Sequence, residues 1–264
     1  MTSNQESPSV AVERALAMLE AVAQEPEGLS NAEISRKLQI PKSSASYILR
    51  TLETQGYLNR DAGSNKYRVG LKILSLSRGA LSGIDVREVA LPVMRHLMEK
   101  TSLTCHLAIL DGPDAVYIEK VEPTGFIRMD TWVGRRMRVH ATSVGKALVA
   151  HVPQERLEKI IAERGMEKRT AKTLTTLPRL LKELEKVRTQ GYAVDDEENN
   201  MGARCLGAPV FNQQGGIEAS VGLSGTTNQV NAQTMPRIIE ALKDAARHIS
   251  MQLGHRSPHR RAGA

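Results

Sequence analysis

Residues 30–54 constrain the fold more than any other stretch, because they have the pattern of two short helices joined by a tight turn. Ser30 and Glu33 have the spacing of a capping box, in which each side chain accepts a hydrogen bond from the other residue's backbone N–H. The first helix is therefore expected to run to about Leu38. Pro41 predicts the first position of the second helix, since that position needs no N–H donor.

The second helix is predicted to have one buried face and one polar face. Apolar side chains recur at the spacing i, i+3, i+4 and i+7, at Ala45, Ile48, Leu49 and Leu52. The polar face and its edges carry hydroxyls, one phenol and two cations, from Lys42, Ser43, Ser44, Ser46, Tyr47 and Arg50. Such a face fits the major groove of DNA, where cations bind phosphate or guanine and hydroxyls bind phosphate or base edges. The alternative is the ordinary solvated face of a helical hairpin.

The placement of charge favours contact with DNA. Residues 1–70 hold as many acidic as basic side chains, but most of the acidic ones come before Ile34. Between Ile34 and Leu52, every charged side chain is that of a lysine or an arginine. A neutral domain with one cationic face is suited to docking on a polyanion. One Trp and two Phe are too few aromatic platforms for a binder of single-stranded nucleic acid. Double-stranded DNA is therefore the expected partner.

The order of elements in residues 8–70 is that of a winged helix-turn-helix domain. A helix is predicted at 10–24, the helix pair follows, and strand-like runs at 56–60 and 66–69 form a hairpin. Three further candidates for contact with DNA phosphates lie on this hairpin: Arg60, Lys66 and Arg68. These three residues are equally open to interpretation as solvated charges.

Residues 71–85 are interpreted as a linker helix. The helix predicted at 71–84 carries two apolar lines, one of Leu71, Leu74 and Leu81 and the other of Ile73, Leu76, Ala80 and Ile84. Two lines are more than the surface of one domain would bury, which predicts packing between domains or between subunits.

Residues 86–254 are expected to form an α+β domain with a mostly antiparallel sheet. Helices are predicted at 86–100, from about 144, and at 154–164, 176–189 and 233–253. Strands are predicted at 104–110, 115–121, 126–133, 192–196, 205–211 and 217–224. Residues 255–264 form a short basic tail.

Three stretches of this second domain point to a ligand cavity. In the strand at 217–224, apolar residues alternate with small polar ones, so one face suits a cavity or else faces solvent. The run Ala141–Lys146 leads into a helix whose first N–H groups would hold an anion. Four carboxylates at Asp195–Glu198 follow a strand and either serve the ligand or form a solvated turn. Together these stretches predict a site for a small acid that also carries hydroxyl or keto groups.

Catalysis and metal binding are weaker interpretations of the same residues. An enzyme would use Cys205 as nucleophile with His140 or His106 as base, but a cysteine among small strand residues is more often a packing residue. A metal site would need Cys105, His106, His140 and Cys205 to converge without the usual short ligand spacing. We predict no catalytic residue, metal or other cofactor. A ligand sensor that acts through protein partners remains open as a third class.

Cysteine content and the absence of apolar runs bear on location. Two cysteines give no disulfide framework, and neither a signal peptide nor a run of 18 apolar residues is present. The expectation is a soluble, cytoplasmic protein without a membrane segment.

Across residues 8–253 the chain resembles the IclR family of bacterial transcription regulators. The resemblance includes V-E-R-A-L-A-M-L-E at 12–20, L-S-N-A-E-I-S-R-K-L at 29–38, P-K-S-S-A at 41–45, K-Y-R-V-G at 66–70 and H-A-T-S-V-G-K-A at 140–147. The most specific part is G-x3-D-x2-E-x6-C-L-G-x2-V-F-N, from Gly191 to Asn212.

The resemblance implies a winged-helix DNA reader, a linker helix and an effector-binding domain, in chains that dimerise through the N-terminal part and often pair into tetramers. It implies an effector pocket lined by Phe126, Met129, Ser143, Val144, Asp195, Ala203, Cys205, Gly222 and Ser224. Backbone amides of Ser143 and Val144 would hold a carboxylate, while Asp195 and Ser224 would bond the polar end of the ligand.

Ala203 and Gly222 stand where larger residues can occur in the family, so more space is expected in the pocket. A sugar acid or a small aromatic acid is the expected effector, and the expected function is that of a repressor of a catabolic operon. In this mechanism the effector changes how the linker helix spaces two recognition helices, and so matches or mismatches two half-sites on the operator.

Overall fold

The computed structural model describes residues 9–81, 85–125 and 129–255, and the side chains of 78–81 and 85 are also outside the description. The chain divides into two compact units after residue 83. None of the described helices combines the length and apolar character that a membrane crossing needs.

The first unit contains four described helices and one hairpin. In chain order they are α1 (Val10–Ala23), α2 (Asn31–Leu38), α3 (Lys42–Thr54), β1 (Leu58–Arg60), β2 (Tyr67–Val69) and α4 (Lys72–Leu81). β1 and β2 pair antiparallel. Three helices followed by a hairpin is the predicted order of a winged helix-turn-helix domain.

The predicted capping box forms at the start of α2. Glu33 N–H donates to Ser30 Oγ at 3.3 Å, and Ser30 N–H donates to Glu33 Oε2 at 2.8 Å. Gln39 ends the helix in the left-handed conformation, with φ of 54°. Pro41 is the N-cap of α3 rather than its first helical residue, so the predicted start was wrong by one position. The Pro41 carbonyl accepts from Ala45 N–H, as an N-cap carbonyl does.

The helices of the first unit pack around a small apolar core. Met18, Ile34, Ala45, Leu49 and Leu58 are completely buried within it. These residues come from α1, α2, α3 and β1. On the predicted buried face of α3, Ala45, Leu49 and Leu52 are buried, and Ile48 is half-buried.

The stretch predicted as a linker helix is helical in its described part, which forms α4, and its role as a linker stays a prediction. This helix begins at Lys72 and its described part ends at Leu81. Leu71, Leu74 and Leu76 have exposed side chains, which leaves apolar surface uncovered in a single copy. Ile84 lies outside the described residues, as do the side chains of Ala80 and Leu81.

The second unit is an antiparallel sheet with helices on its faces. Its elements are α5 (Asp85–Thr101), β3 (Thr104–Asp111), β4 (Asp114–Val121), β5 (Arg136–Arg138), α6 (Ser143–Val149), α7 (Gln154–Arg164), α8 (Leu177–Gln190), β6 (Ala193–Asp196), β7 (Ala203–Phe211), β8 (Ile217–Thr226) and α9 (Met235–Gln252). The strand order is β5-β4-β3-β8-β7-β6, and every described pairing is antiparallel. The predicted α+β class is confirmed.

Two glycines allow α6 to lie directly on the sheet. A Cβ at Gly207 would lie 2.7 Å from the Ser143 carbonyl oxygen, and a Cβ at Gly222 would lie 2.5 Å from Val144 Cγ1. Helices α5 and α9 pack against each other and against β3, β4, β7 and β8. The sheet is therefore covered by helices rather than open to water.

The strand predicted at 126–133 is wrong where it is described. Residues 126–128 lie outside the description, residues 129–133 form no strand, and β5 follows at 136–138 instead. Lys120 Nζ donates to the carbonyls of Met129 (3.1 Å) and Thr131 (2.9 Å). Both carbonyls thus accept from a side chain, and no strand pairing is present over 129–133.

Candidate functional site

Helix α3 separates its apolar and polar residues onto two faces. Lys42, Ser43, Tyr47 and Arg50 are exposed, and Ser44 and Ser46 are half-buried. The side chain of Tyr47 is 77% exposed. Within the described residues, the side chains of Lys42, Tyr47 and Arg50 make no hydrogen bond or ion pair, so their donors are available to an external partner.

The cations of the hairpin are less free than those of α3. The Arg60 guanidinium lies 5.7 Å from the centre of the Tyr67 ring. Arg68 Nη2 is 3.8 Å from Glu27 Oε2, a loose surface pair. Lys66 is half-buried. All three remain close enough to the surface for phosphate contacts, as solvated hairpin charges also would be.

An apolar groove crosses the first unit beside the polar face of α3. It encloses about 570 Å³ between α1, α3 and α4. Its lining is almost wholly apolar and comes from Ala11, Val12, Ala15, Leu16, Leu19, Tyr47, Ile48, Thr51, Leu52, Tyr57, Ile73 and Leu76. Val12, Leu16 and Leu76 each expose more than half of their surface. An exposed apolar surface of this kind is typical of an interaction site.

In the second unit, the register of the sheet brings distant residues onto one face. Cys205 pairs with Asp195 on one side and with Ser224 on the other. His106 pairs with Gly222, the residue two positions before Ser224 and therefore on the same face. Tyr117, which stacks on the His106 ring at 4.4 Å, extends this row to β4.

A cavity of about 250 Å³ opens above this row, and we call it the sheet cavity. Six of the nine residues predicted for a pocket line it: Met129, Ser143, Asp195, Ala203, Cys205 and Ser224. The wall also includes Tyr117, Asp130, Thr131, Arg135, Met137, Thr142, Asn199 and Asn200. The cavity thus combines apolar surface with hydroxyl, amide, carboxylate and guanidinium groups.

The remaining three predicted residues do not form its described wall. Phe126 lies outside the described residues. Val144 is buried, and its Cγ1 fills the space in front of Gly222. The expectation that Gly222 enlarges the cavity was therefore wrong, because its missing side chain makes room for α6. Ser220 on the same strand is also covered and donates to the Ala208 carbonyl at 3.1 Å.

Asp195 is the central polar group of the cavity. It is 3% exposed, and its Oδ1 accepts from the N–H groups of Glu198 (2.8 Å) and Asn199 (3.2 Å). Burial raises the pKa of Asp195 to about 7, with a further contribution from the negative charge of Glu198, while the two N–H groups and Lys146 act in the opposite direction. Near neutral pH this carboxyl can therefore either donate or accept a hydrogen bond.

The run of four carboxylates at 195–198 is not a simple solvated turn. Glu198 Oε1 accepts from the fully buried Lys146 ammonium at 2.6 Å, which also donates to the Val194 carbonyl. Burial raises the pKa of Glu198, and Lys146 opposes that shift. Asp196 pairs with Arg204 and Glu197 with Lys172 on the more exposed side. The two buried carboxylates hold the strand end in place beside the cavity.

Sequence reasoning missed the role of His106 in shaping the wall. Its Nε2 lies 2.7 Å from Thr131 Oγ1, and its Nδ1 lies 3.5 Å from Ser224 Oγ. Burial lowers the pKa of His106 to about 3, and the charges of Lys120 and Arg135 add to that shift. A neutral imidazole has one donor and one acceptor, so it can orient both hydroxyls. The sequence feature that could have indicated this role is a histidine within a mostly apolar strand.

Other wall residues carried little signal in the sequence. Tyr117 alternates with core residues in β4, and Asn199 and Asn200 follow the four carboxylates directly. Thr131 falls in the stretch that was predicted to be a strand, and Arg135 lies just after that stretch. Their convergence depends on strand register and loop course, which local patterns do not encode.

The alternatives of catalysis and metal binding find little support in the geometry. Burial raises the pKa of Cys205 to about 12, with Asp195 adding to the shift, so the thiol is a poor nucleophile. Cys105 and His106 are adjacent strand residues and point to opposite faces of the sheet. His140 Nε2 is bonded to the Glu167 carbonyl at 3.1 Å. Among the described residues, no group of three or more His, Cys, Asp or Glu side chains could hold a metal ion.

The sequence matches two family models that together cover most of the chain. The IclR helix-turn-helix domain matches residues 11–62, which include α1 to α3 and the first strand of the hairpin. The C-terminal domain of the bacterial transcriptional regulator IclR matches residues 78–251. The second match spans the whole sheet and the cavity.

Known proteins agree with these matches over nearly the full length. The HTH-type transcriptional regulator XynR of Escherichia coli K12 is 34% identical over 92% of this chain and 97% of its own length. The HTH-type transcriptional repressor AllR of the same strain is 32% identical over 92% of this chain and 90% of its own. The crystal structure of Thermotoga maritima IclR superposes with a TM-score of 0.77, at 31% identity over 92% of this chain and 98% of the other.

These relatives are named as transcriptional regulators rather than enzymes. The helix-turn-helix unit, the antiparallel α+β unit and the match of both to one family lead to a single conclusion. The chain belongs to the IclR family of bacterial transcriptional regulators and is a DNA-binding regulator.

Proposed function

We propose that this regulator represses a catabolic operon by binding operator DNA as a dimer, and that a small organic acid in the sheet cavity releases it. The observation that carries the proposal is the convergence of Asp195, Cys205, Ser224 and Ser143 on one cavity beside the start of α6. A cavity with apolar walls and a few convergent polar groups is typical of a small-molecule site.

The size of the cavity favours a compact ligand. A volume of about 250 Å³ holds about eight water-sized groups at ~30 Å³ each. Small aromatic acids and short sugar acids are in this range. Ala203, whose small side chain lies on the wall, supports a ligand larger than a two- or three-carbon acid.

The polar groups favour a ligand with an acid at one end and hydroxyl or keto groups at the other. Arg135 is the only cation on the described wall, and Asp130, its loose partner at 3.7 Å, is 95% exposed. A ligand carboxylate would displace this weak contact. Asp195 and Ser224 would bond the hydroxyl or keto end, and the amides at the start of α6 would be within reach of the carboxylate.

A second copy of the chain is the proposed occupant of the apolar groove. The groove runs on into exposed leucines of α4, and it lies beside the polar face of α3. Burying each leucine in a dimer would contribute about 1.5–3 kcal/mol. Pairing here would also place two copies of α3 at a fixed separation, as a reader of two half-sites requires. A dimer of such dimers is compatible with this arrangement.

The proposed contact with DNA follows the geometry of helix-turn-helix proteins. The exposed side chains of α3 enter the major groove, and the cations of the hairpin contact the backbone. The acid releases the protein because it binds more tightly to the arrangement in which the two copies of α3 no longer match the half-sites.

The test combines binding of the acid with binding of DNA. Calorimetry of the full chain with sugar acids and aromatic acids should identify a ligand, and Asp195→Asn should weaken its binding. The same ligand should release the protein from DNA upstream of its own gene in a mobility-shift experiment. Salt-dependent binding of that DNA is expected; a chain that binds the acid but no DNA would instead be a sensor acting through protein partners.

A further inference from the structure

A second concavity, of about 310 Å³, lies beside the sheet cavity. Five arginines form most of its wall: Arg135, Arg136, Arg138, Arg164 and Arg169. Its only lining carboxylates among the described residues are those of Asp114 and Glu167. We call it the arginine cleft. It shares Arg135, Met137 and Asn199 with the wall of the sheet cavity, so the two spaces adjoin.

Part of this cluster is structural. Asp114 is 2% exposed and accepts from Arg136 Nε (3.0 Å), Arg164 Nη2 (2.7 Å) and Arg138 Nη1 (3.4 Å). Burial acts to raise the pKa of Asp114, but the hydrogen bonds from the arginines outweigh it and hold the pKa below its ordinary value. Arg136 also donates twice to Asp111. Each of the three nitrogens of the Arg136 guanidinium is therefore engaged in the scaffold.

The other arginines keep donors to spare. A guanidinium has five N–H donors. Arg138 and Arg164 each make one contact with Asp114. Among the described residues, the Arg169 guanidinium donates only to the Asn199 carbonyl, at 3.4 Å. Arg138 and Arg164 are 32% and 41% exposed, so a solute can reach them. The cleft therefore presents more guanidinium donors and more positive charge than its own carboxylates satisfy.

We propose that the arginine cleft binds a second anionic group, a phosphate or a carboxylate, of the acid that occupies the sheet cavity. This inference rests on the proposed function and specifies the ligand as a doubly anionic acid. Its first part lies against Asp195 and Ser224, and its second anion meets Arg164 and Arg169, with Arg135 at the junction. Planar guanidinium groups suit both anions because they donate two parallel hydrogen bonds.

Selectivity for charge follows from this arrangement. An acid with a single carboxylate can occupy the sheet cavity but leaves the cleft to solvent. An acid with a second anion gains charge-assisted hydrogen bonds, so it should bind at least about tenfold more tightly than its singly charged analogue.

Inorganic phosphate is the first probe, because it tests the cleft without any knowledge of the effector. The midpoint of thermal unfolding of the full chain is measured in phosphate and in chloride at equal ionic strength. Phosphate should raise the midpoint of the wild type in a saturable way. The increase should be absent from Arg164→Gln/Arg169→Gln and retained in Arg156→Gln, which removes an exposed arginine from the same helix as Arg164.

The variants also guard against loss of structure. Arg169→Gln alone loses only one contact with a backbone carbonyl, so it should fold as the wild type does and still lose most of the phosphate effect. Equal stabilisation of wild type and cleft variants would place the phosphate elsewhere, for example on the cations of α3, and would overturn the proposal. So would a phosphate effect no larger than that of chloride.

The second probe is a set of matched acids measured by calorimetry: gluconate, glucarate and 6-phosphogluconate. The two doubly anionic acids should bind the wild type more tightly than gluconate, and Arg169→Gln should abolish that preference. Asp195→Asn should weaken all three. A preference that survives in Arg169→Gln, or no binding of any of the three, would overturn the bridging ligand, whereas failure of a bound acid to release DNA would overturn only the proposed function.

Discussion

The polar face of α3 and the sheet cavity use similar side chains in opposite ways. On α3, the side chains of Lys42, Tyr47 and Arg50 reach into solvent and have no partner in the described chain. In the sheet cavity, Asp195 is almost fully buried and its Oδ1 is held by two backbone N–H groups. Serine, charged groups and a tyrosine occur in both places, so residue type alone does not distinguish them.

The difference reflects what each surface is proposed to bind. DNA is an extended polyanion, and its bound counterions are released when a protein binds its phosphates. The DNA-binding protein therefore needs only free hydrogen-bond donors on a rigid helix. A small ligand is enclosed, so each polar group around it must already be oriented and satisfied. Changes on α3 should therefore affect binding alone, whereas changes around the cavity should also affect the stability of the fold.

The largest effect on stability is expected at the buried ion pair of Lys146 and Glu198, which holds the strand end beside the sheet cavity. Lys146→Ala removes the fully buried partner of Glu198 and leaves that carboxylate uncompensated. The free energy of unfolding should fall by about 3–5 kcal/mol. Denaturant unfolding measures this, with Lys186→Ala as control, because its exposed pair with Glu183 is expected to contribute less than about 0.5 kcal/mol. Equal losses of unfolding free energy in the two variants would show that the buried pair of Lys146 stabilises the fold no more than an exposed pair does.

The next effect concerns the apolar groove rather than either polar region. Leu16→Glu should weaken dimerisation about 100-fold. Leu16 is 55% exposed, so each of the two copies loses roughly half of the 1.5–3 kcal/mol of full burial and buries a charge instead. Sedimentation of the full chain measures the dissociation constant. Met201→Glu, which alters an exposed methionine of the second unit, should leave it unchanged. An unchanged dissociation constant in Leu16→Glu would mean that the dimer interface does not include this groove.

A smaller change is expected on α3, and it should appear only in DNA binding. Arg50→Ala should lower operator affinity about 10- to 100-fold, the value of one good contact to DNA. Unfolding free energy and effector binding should stay as in the wild type, because Arg50 supports no other described residue. Arg237→Ala, an exposed arginine of α9, controls for the loss of charge. Loss of folding or effector binding in Arg50→Ala would make Arg50 a structural residue.

The smallest effect is a dependence of stability on pH that arises from Asp195. Its folded pKa of about 7 lies above the ordinary value of 3.8, so the folded state binds the proton more tightly. Stability should therefore rise as pH falls through 7, by about 1 kcal/mol between pH 8 and pH 6. Asp195→Asn should lack this increase.

Histidines also make stability depend on pH in this range, but their contribution is the same in the wild type and in Asp195→Asn. Burial lowers the pKa of His106, His140 and His151, so their protonation favours the unfolded state as pH falls through their unfolded value near 6.5. The difference between wild type and Asp195→Asn removes this shared contribution. A difference that does not change with pH would mean that the carboxyl of Asp195 is ionised throughout.

The first unit could be predicted closely because its signals are local. The capping box at Ser30 and Glu33 and the apolar spacing of α3 involve neighbours in sequence, and both were found. The one-residue error at Pro41 arises because a proline can serve as N-cap as well as first helical residue. The hairpin follows from its turn residues in the same way.

The cavity could be predicted only in part. Asp195, Ala203 and Cys205 were expected on its wall because of the resemblance to the IclR family, and all three line it. Gly222 was misinterpreted because nothing in the sequence shows which element covers it. The supposed strand at 126–133 fails for a related reason, since the ammonium group that takes its carbonyls comes from Lys120 on another strand.

The glycines beneath α6 have a further consequence for how such a protein can change over time. No side chain can be added at Gly207 without displacing the backbone of Ser143, and any at Gly222 would displace Val144. The seat of α6 on the sheet is thereby fixed, while Met129, Thr131 and Asn200 on the wall of the sheet cavity are free of that restriction. New ligand specificities should therefore evolve by substitution of these wall residues, while the contact between α6 and the sheet is retained.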